Sequence, residues 1–164
     1  MQIRIAGTMN DSIVDGPGLR YTVFTQGCPH GCPGCHNPQS HDFGGGRAVQ
    51  TEEIIAQIRG NPLLDGVTLS GGEPFCQPEA CLAIARAAHE AGLNVWAYSG
   101  YTYEQLLEKA PNLLREVDVL VDGPFVLAQR SLEIKFRGSR NQRLIDVKRS
   151  LAQGVPVMWE FPVW

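Results

Sequence analysis

From Tyr21 to Asp122, short β-rich runs alternate with helix signals, and each run ends at a glycine or a polar turn. That alternation restricts the chain to an α/β fold with parallel strands and right-handed crossovers. Tyr21-Thr22-Val23-Phe24-Thr25 predicts a strand from its β-branched and aromatic content. Thr51 as cap, with Glu52 and Glu53 in the first turn, predicts a helix over 51–59 whose apolar face is Ile54, Ile55 and Ile58. Gly66-Val67-Thr68-Leu69-Ser70 is a second strand, and the alanine-rich stretch 78–91 a helix stopped by Gly92. Residues 94–98 form the next strand. Thr102 and Gln105 make a capping box for a helix that Pro111 ends or kinks. Val117, Val119 and Val121 alternate in a strand that ends at Asp122-Gly123-Pro124, and Leu144-Ile145-Asp146-Val147 is a further strand. An eight-stranded closed barrel takes about 250 residues. The expectation for these 164 residues is a partial, open β/α TIM-like barrel forming one domain over 1–164.

In parallel α/β folds, chemistry gathers at the C-terminal ends of the strands. The unusual residues obey that rule. The segments that directly follow strands are a cysteine-rich loop, Gly71-Gly72-Glu73, Ser99-Gly100 and Asp122-Gly123. Four segments therefore point to one rim.

The cysteine loop reads Gln26-Gly27-Cys28-Pro29-His30-Gly31-Cys32-Pro33-Gly34-Cys35-His36-Asn37. A closed zinc site or an ordinary iron–sulfur site needs four protein ligands, and no fourth cysteine lies nearby. A cubane cluster held by three cysteines leaves one iron open to a ligand. Spacing alone leaves a second possibility, a zinc site completed by His30, His36 or His41. The Cys-x3-Cys-x2-Cys run lacks the paired knuckles of zinc ribbons, which favours iron–sulfur. Of the two remaining cysteines, Cys81 falls on the 78–91 helix as a core residue. Cys76 sits at a turn where it could line the same cavity and is assigned no role.

In Leu69-Ser70-Gly71-Gly72-Glu73-Pro74 the glycine pair lets backbone approach a ligand where a Cβ would clash. Its exposed amide and carbonyl groups suit a ligand's carboxylate and amino groups, and Glu73 suits an ammonium. Taken alone, the same residues could form an ordinary tight turn.

Composition narrows the function classes. Formal net charge is −3, 43% of residues are hydrophobic and 19% are charged. Such a balance offers no basic face to nucleic acid or an anionic membrane. The apolar runs are too short to span a bilayer, and the start of the chain has no signal-peptide pattern. A cytoplasmic location is the expectation, and an odd number of cysteines in a reducing compartment points to metal chemistry.

The Cys-x3-Cys-x2-Cys loop followed by Gly-Gly-Glu-Pro resembles the radical S-adenosylmethionine (SAM) enzymes. Ile13-Val14-Asp15-Gly16-Pro17-Gly18-Leu19-Arg20 is similar to the lead-in of the glycyl-radical activating enzymes. Tyr98-Ser99-Gly100-Tyr101, Leu120-Val121-Asp122-Gly123-Pro124-Phe125 and Arg137-Gly138-Ser139-Arg140-Asn141-Gln142-Arg143 resemble the activators of anaerobic ribonucleoside-triphosphate reductase. The resemblance spans 12–147 with the motifs in order, which is far more specific than one short pattern. It implies an open barrel of the radical SAM type. Cys28, Cys32 and Cys35 would ligate a 4Fe-4S cluster, with SAM on the fourth iron. Gly71, Gly72 and Glu73 would hold the methionine end of SAM. Gly34 and His36, flanking Cys35, match SAM-contacting positions, and Ser99 is a further candidate contact. One-electron reduction would cleave SAM to methionine and a 5′-deoxyadenosyl radical, which would take a hydrogen atom from a glycine of the reductase. The electron donor would be a protein such as flavodoxin. An activator of a pyruvate formate-lyase-like enzyme is the nearest alternative, and a non-catalytic zinc-binding module is the alternative of another class. Two departures stand out: His36 where these activators often have tyrosine, and Gly34 where many radical SAM proteins have an aromatic, the latter shared with the reductase activators.

Other residues carry weaker signals. Asp122 could line the cavity or simply begin a turn. Arg137, Arg140 and Arg143, with Asn141 and Gln142, could dock the partner. His89 is expected at the surface, compensating charge at a helix end. Trp159, Phe161 and Trp164 suit a core or an interface.

Overall fold

The computed structural model describes residues 1–35 and 38–160. One seven-stranded sheet runs through it. Its members are β1 (Gln2–Ser12), β2 (Arg20–Thr25), β3 (Arg47–Gln50), β4 (Gly66–Gly71), β5 (Asn94–Tyr98), β6 (Val119–Asp122) and β7 (Arg143–Asp146), in the order β3-β1-β2-β4-β5-β6-β7. The four central strands β2, β4, β5 and β6 are parallel, as strand–helix alternation requires. Both margins are antiparallel. β1 pairs with β2 and β3, and β7 pairs with β6.

The helices α1 (Thr51–Arg59), α2 (Pro78–Glu90), α3 (Tyr103–Lys109), α4 (Pro111–Arg115) and α5 (Val147–Gln153) complete the chain. Side-chain period 2 assigns each strand residue to one face of the sheet. Tyr21, Val23, Val67, Leu69, Val95, Ala97, Leu120 and Ile145 share a buried cluster with Ile54 and Ile58 of α1 and with Cys81, Ile84 and Ala88 of α2. The core expectation for Cys81 holds, and burial pushes its thiol up to about 12. The opposite face carries Trp96, Val119, Val121 and Leu144, on which Phe136 and Trp159 pack. Trp159 meets Trp96 edge-on at 5.0 Å, a core contact. Phe161 and Trp164 lie outside the described residues.

The second face also holds a buried cation. Arg20 donates to Thr68 Oγ1 at 2.7 Å, Asn94 Oδ1 at 2.7 Å, and the carbonyls of Pro17 and Val67. Its guanidinium lies 5.7 Å from the Trp96 ring centroid. Burial lowers Arg20 to about 10. The lead-in segment before β2 thus wraps around an arginine set inside the fold.

Several local expectations are corrected. Thr51 is not the cap of α1: Gln50 is, without a side-chain bond, and the Thr51 amide donates instead to the Met1 carbonyl at 2.8 Å. Of the two expectations for Pro111 the ending holds and the kink does not: α3 stops at Lys109 and Pro111 opens α4. Val117 precedes β6. Val147 belongs to α5, whose cap Asp146 accepts from the Arg149 amide. His89 is tied between two acids, with Nε2 2.8 Å from Asp118 and Nδ1 3.1 Å from Glu116. The capping box of Thr102 and Gln105 forms as read.

Candidate active site

Loops from the C-terminal ends of β2, β4, β5 and β6 surround one open cleft. Cys28, Cys32 and Cys35 line it with Ser70, Gly71, Gly72, Tyr98, Ser99 and Gly100. His30, His41, Gly123, Phe125, Gly138 and Gln142 complete the wall. The cleft encloses about 170 Å³ and is otherwise widely open to solvent. The convergence on one rim expected from the sequence is therefore present.

The cysteine loop is tied down where it enters. The Gly27 amide donates to the Ser40 carbonyl at 2.7 Å, and the Cys28 amide to the His41 carbonyl at 3.1 Å. Gln26 reaches forward to the carbonyls of Gln39 and Asp42. None of the three thiols is in a disulfide. Burial pushes the Cys28 thiol up, a backbone hydrogen bond involving His30 opposes this, and the Glu73 charge adds to it. Metal uptake at such a thiol must release its proton. Among the described residues, no three His, Cys, Asp or Glu side chains stand close enough together to hold one metal ion. A cubane cluster makes a different demand: each thiolate takes its own iron, so the sulfurs surround a body instead of meeting at a point. Three thiols on the wall of an open cleft fit that demand.

The turn after β4 brings backbone to the same cleft. Gly71 has φ +93°, and a Cβ there would stand 2.4 Å from the Thr25 amide nitrogen. At Gly72 a Cβ would stand 2.5 Å from the Gly27 carbonyl oxygen. The glycine pair is needed for this turn to lie against the entry of the cysteine loop. The Gly72 amide donates to Thr25 O, and the Glu73 amide to Gly27 O.

Glu73 itself is fully buried and is not part of the cleft wall. Its Oε1 accepts from the Gly100 amide at 2.8 Å and lies 2.6 Å from His30 Nε2. Its Oε2 accepts from the Phe75 amide at 3.2 Å, and the Ser99 hydroxyl lies 2.9 Å from both oxygens. Ser99 lines the cleft and also accepts from the Tyr101 amide, so its hydroxyl closes the turn after β5. Gly34 has φ +74° and faces Leu127. His36 lies outside the described residues. Cys76 lies away from the cleft, in a hollow with Met1, Gln2 and Gln77.

The segment 137–143, which reaches the cleft at Gly138 and Gln142, is stapled to the exit of β6. Gln142 accepts from the Gly138 and Ser139 amides and donates to Gly123 O. Asn141 donates to Pro124 O. Asp122 is buried, accepts from the Tyr103 amide and pairs with Arg143, so it sits behind the wall. Arg143 also pairs with Glu104. These acids and their hydrogen bonds hold its guanidinium above the usual arginine range. Arg143 is thus engaged inside the chain, with a third of its side chain exposed. Sequence reasoning treated His30 only as a possible zinc ligand. Its position midway between Cys28 and Cys32 was the available signal that it belongs with the site.

The 4Fe-4S single cluster domain family matches residues 14–145. The anaerobic ribonucleoside-triphosphate reductase-activating protein of Salmonella typhi is 34% identical over 138 residues, covering 79% of this chain and 90% of that protein. Its counterpart in Vibrio cholerae is 34% identical over 139 residues, covering 79% and 89%. The pyruvate formate-lyase-activating enzyme of Clostridium pasteurianum is 37% identical over 123 residues, covering 70% of this chain and 52% of that enzyme. Among solved structures, QueE from Escherichia coli superposes with a TM-score of 0.48 at 19% identity, over 62% of this chain and 54% of QueE.

Proposed function

We propose the following activity for this chain, which belongs to the family of anaerobic ribonucleoside-triphosphate reductase-activating proteins: it is a radical SAM enzyme that installs a glycyl radical on an anaerobic ribonucleoside-triphosphate reductase. The observation that carries the reading is that Cys28, Cys32 and Cys35 share one cleft with Gly71 and Gly72. In this reading the three cysteines hold a 4Fe-4S cluster with one iron open. The backbone of Gly71 and Gly72, with Ser99 beside it, holds the methionine end of SAM. Gly34 and His36 flank the last ligand and complete the assignment. When bound, the cluster supplies the electron that cleaves SAM to methionine and a 5′-deoxyadenosyl radical able to take a Cα hydrogen from glycine.

The protein's part is to bind, orient and exclude water. Tyr98, Phe125, Gly138 and Gln142 share the cleft wall with the thiols and limit solvent around a reactive species. Four parallel strands delivering loops to one rim support an open barrel of the radical SAM type, formed by a single domain over 1–164. No helix among the described residues is long and apolar enough to cross a membrane. A cytoplasmic setting with a donor such as flavodoxin belongs to the same proposal. The chain spans about half of the pyruvate formate-lyase-activating relative but nine-tenths of the first reductase activator, which favours the reductase as partner.

The test is anaerobic reconstitution with iron and sulfide, dithionite reduction with SAM, and chromatography for 5′-deoxyadenosine. Product is expected from the native chain and from Cys81→Ala, and none from Cys28→Ala, Cys32→Ala or Cys35→Ala. Zinc without labile sulfide, or a dispensable cysteine among the three, would sink the assignment. Electron paramagnetic resonance (EPR) of the reductase incubated with the active chain then decides the partner: a glycyl radical supports it, and its absence points to another glycyl-radical enzyme.

A further inference from the structure

We propose that Glu73 is a positioning residue which, through His30, clamps the cysteine loop to the turn after β4, and that it does not contact the ligand. The inference rests on the radical SAM reading and deepens it. A carboxylate offers about four acceptor sites on its two oxygens. Four protein donors surround this one: the His30 ring, the Ser99 hydroxyl, and the amides of Gly100 and Phe75. No acceptor site remains for a ligand ammonium, and the side chain has no exposed surface.

What the four donors belong to defines the role. Phe75 is in the turn itself, Ser99 and Gly100 follow β5, and His30 lies midway between Cys28 and Cys32. The loop's described backbone hydrogen bonds hold it at Gly27 and Cys28, and the next within it joins the Cys35 amide to Cys32 O. Pro29 and Pro33 have no amide hydrogen to offer. The His30 ring therefore adds a described tie between the entry of the loop and its second and third cysteines. The ring is fixed on its other sides too. It meets Tyr101 edge-on at 4.5 Å, and a Cβ at Gly100 would stand 2.4 Å from its Cδ2. Lys109 Nζ lies 5.0 Å from the Tyr101 ring centroid and holds that ring in turn. Metal sites depend on such supporting groups, whose loss costs roughly 10–100-fold in affinity or activity.

The native chain is compared with His30→Ala, His30→Gln and Glu73→Gln, each reconstituted anaerobically. The readouts are iron and sulfide content, the EPR spectrum of the reduced cluster with and without SAM, and KM for SAM. Hydrogen exchange of the 28–35 amides is measured on the cluster-free chains. The clamp predicts that His30→Ala keeps its iron, loses most of the SAM-induced spectral change, raises KM roughly 10–100-fold and exchanges faster over 28–35. His30→Gln, whose amide can donate from a similar position, recovers much of each readout. If His30→Ala matches the native chain in spectrum and exchange while Glu73→Gln alone raises KM, Glu73 touches the ligand and the clamp is wrong. Should His30→Ala fail to fold, Gly100→Ala displaces the ring without removing it and is read the same way. A native chain that takes up no cluster refutes the radical SAM reading, and the exchange comparison still decides the clamp by itself.

Discussion

Glu73 and Asp122 are two buried carboxylates at the ends of β4 and β6, which flank β5 in the sheet, and they do different work. Asp122, the last residue of β6, faces Arg143 directly across the antiparallel pair with β7. Arg143 Nε lies 3.0 Å from Asp122 Oδ1, and the guanidinium continues to Glu104 on α3. Everything at the far end of this tie is already held by a strand ladder or a helix. Glu73 is tied through His30 to a loop whose described backbone hydrogen bonds lie at Gly27, Cys28 and Cys35. The same chemistry therefore stabilises the fold in one place and sets the position of a reactive loop in the other. What differs is how firmly the partner is held by its surroundings.

That contrast can be broken by comparing stability with loop order. The largest loss of stability is expected for Arg143→Met, which strands a buried carboxylate. Removing one partner of a buried pair costs about 3–5 kcal/mol, and the lower end applies because a third of the Arg143 side chain is exposed. Urea denaturation would measure it, with iron bound per folded chain unchanged. A loss confined to SAM binding would reverse the roles assigned to the two acids. Next comes Gly100→Ala. The added methyl group meets the His30 ring, and overpacking of this kind costs roughly 1–3 kcal/mol. His30→Ala should cost less, about 1 kcal/mol, because His30 lines the open cleft and water can replace its hydrogen bond. A cost near that of Arg143→Met would make His30 a structural residue like Arg143.

The sequence made the parallel centre of this molecule and the margin strand β7 readable and left the other margin, β1 and β3, obscure. Strands β2, β4, β5 and β6 show as compact β-rich runs with a glycine at or within two residues of each C-terminal end, because both of their faces are buried and their loops carry the site. β1 is the longest strand, yet Gly7, Asn10 and Asp11 interrupt its pattern and its pairing with β2 shifts register twice. β3 has four mostly exposed residues, so no apolar period marks it. Thr51 looked like a cap because capping is a local preference. Its actual partner, the Met1 carbonyl, is brought there by the β1–β3 pairing. The cysteines and the glycine pair were legible because each has a local chemical meaning. The His30–Glu73 contact was not, since it joins residues 43 positions apart and depends on two turns meeting at one rim.

The smallest effect concerns Glu104, the outer acid on Arg143. Its hydrogen bond with Arg143 is the main cause holding its carboxyl below the ordinary value of 4.5. A carboxyl depressed in the folded state binds protons less readily than in the unfolded chain. Its contribution to stability is therefore present above 4.5 and disappears as pH falls through the lower folded value. Glu104 is 55% exposed in its side chain, so the contribution is that of a screened surface pair. Urea denaturation of the native chain and Glu104→Gln should give curves separated at about pH 6 that converge by about pH 3. Salt should narrow the gap at the higher pH. A gap that survives acid would mean that Glu104 acts through packing, leaving Asp122 as the single ionic anchor of Arg143. Replacing Glu104 would then leave the acid dependence of Arg143→Met unchanged.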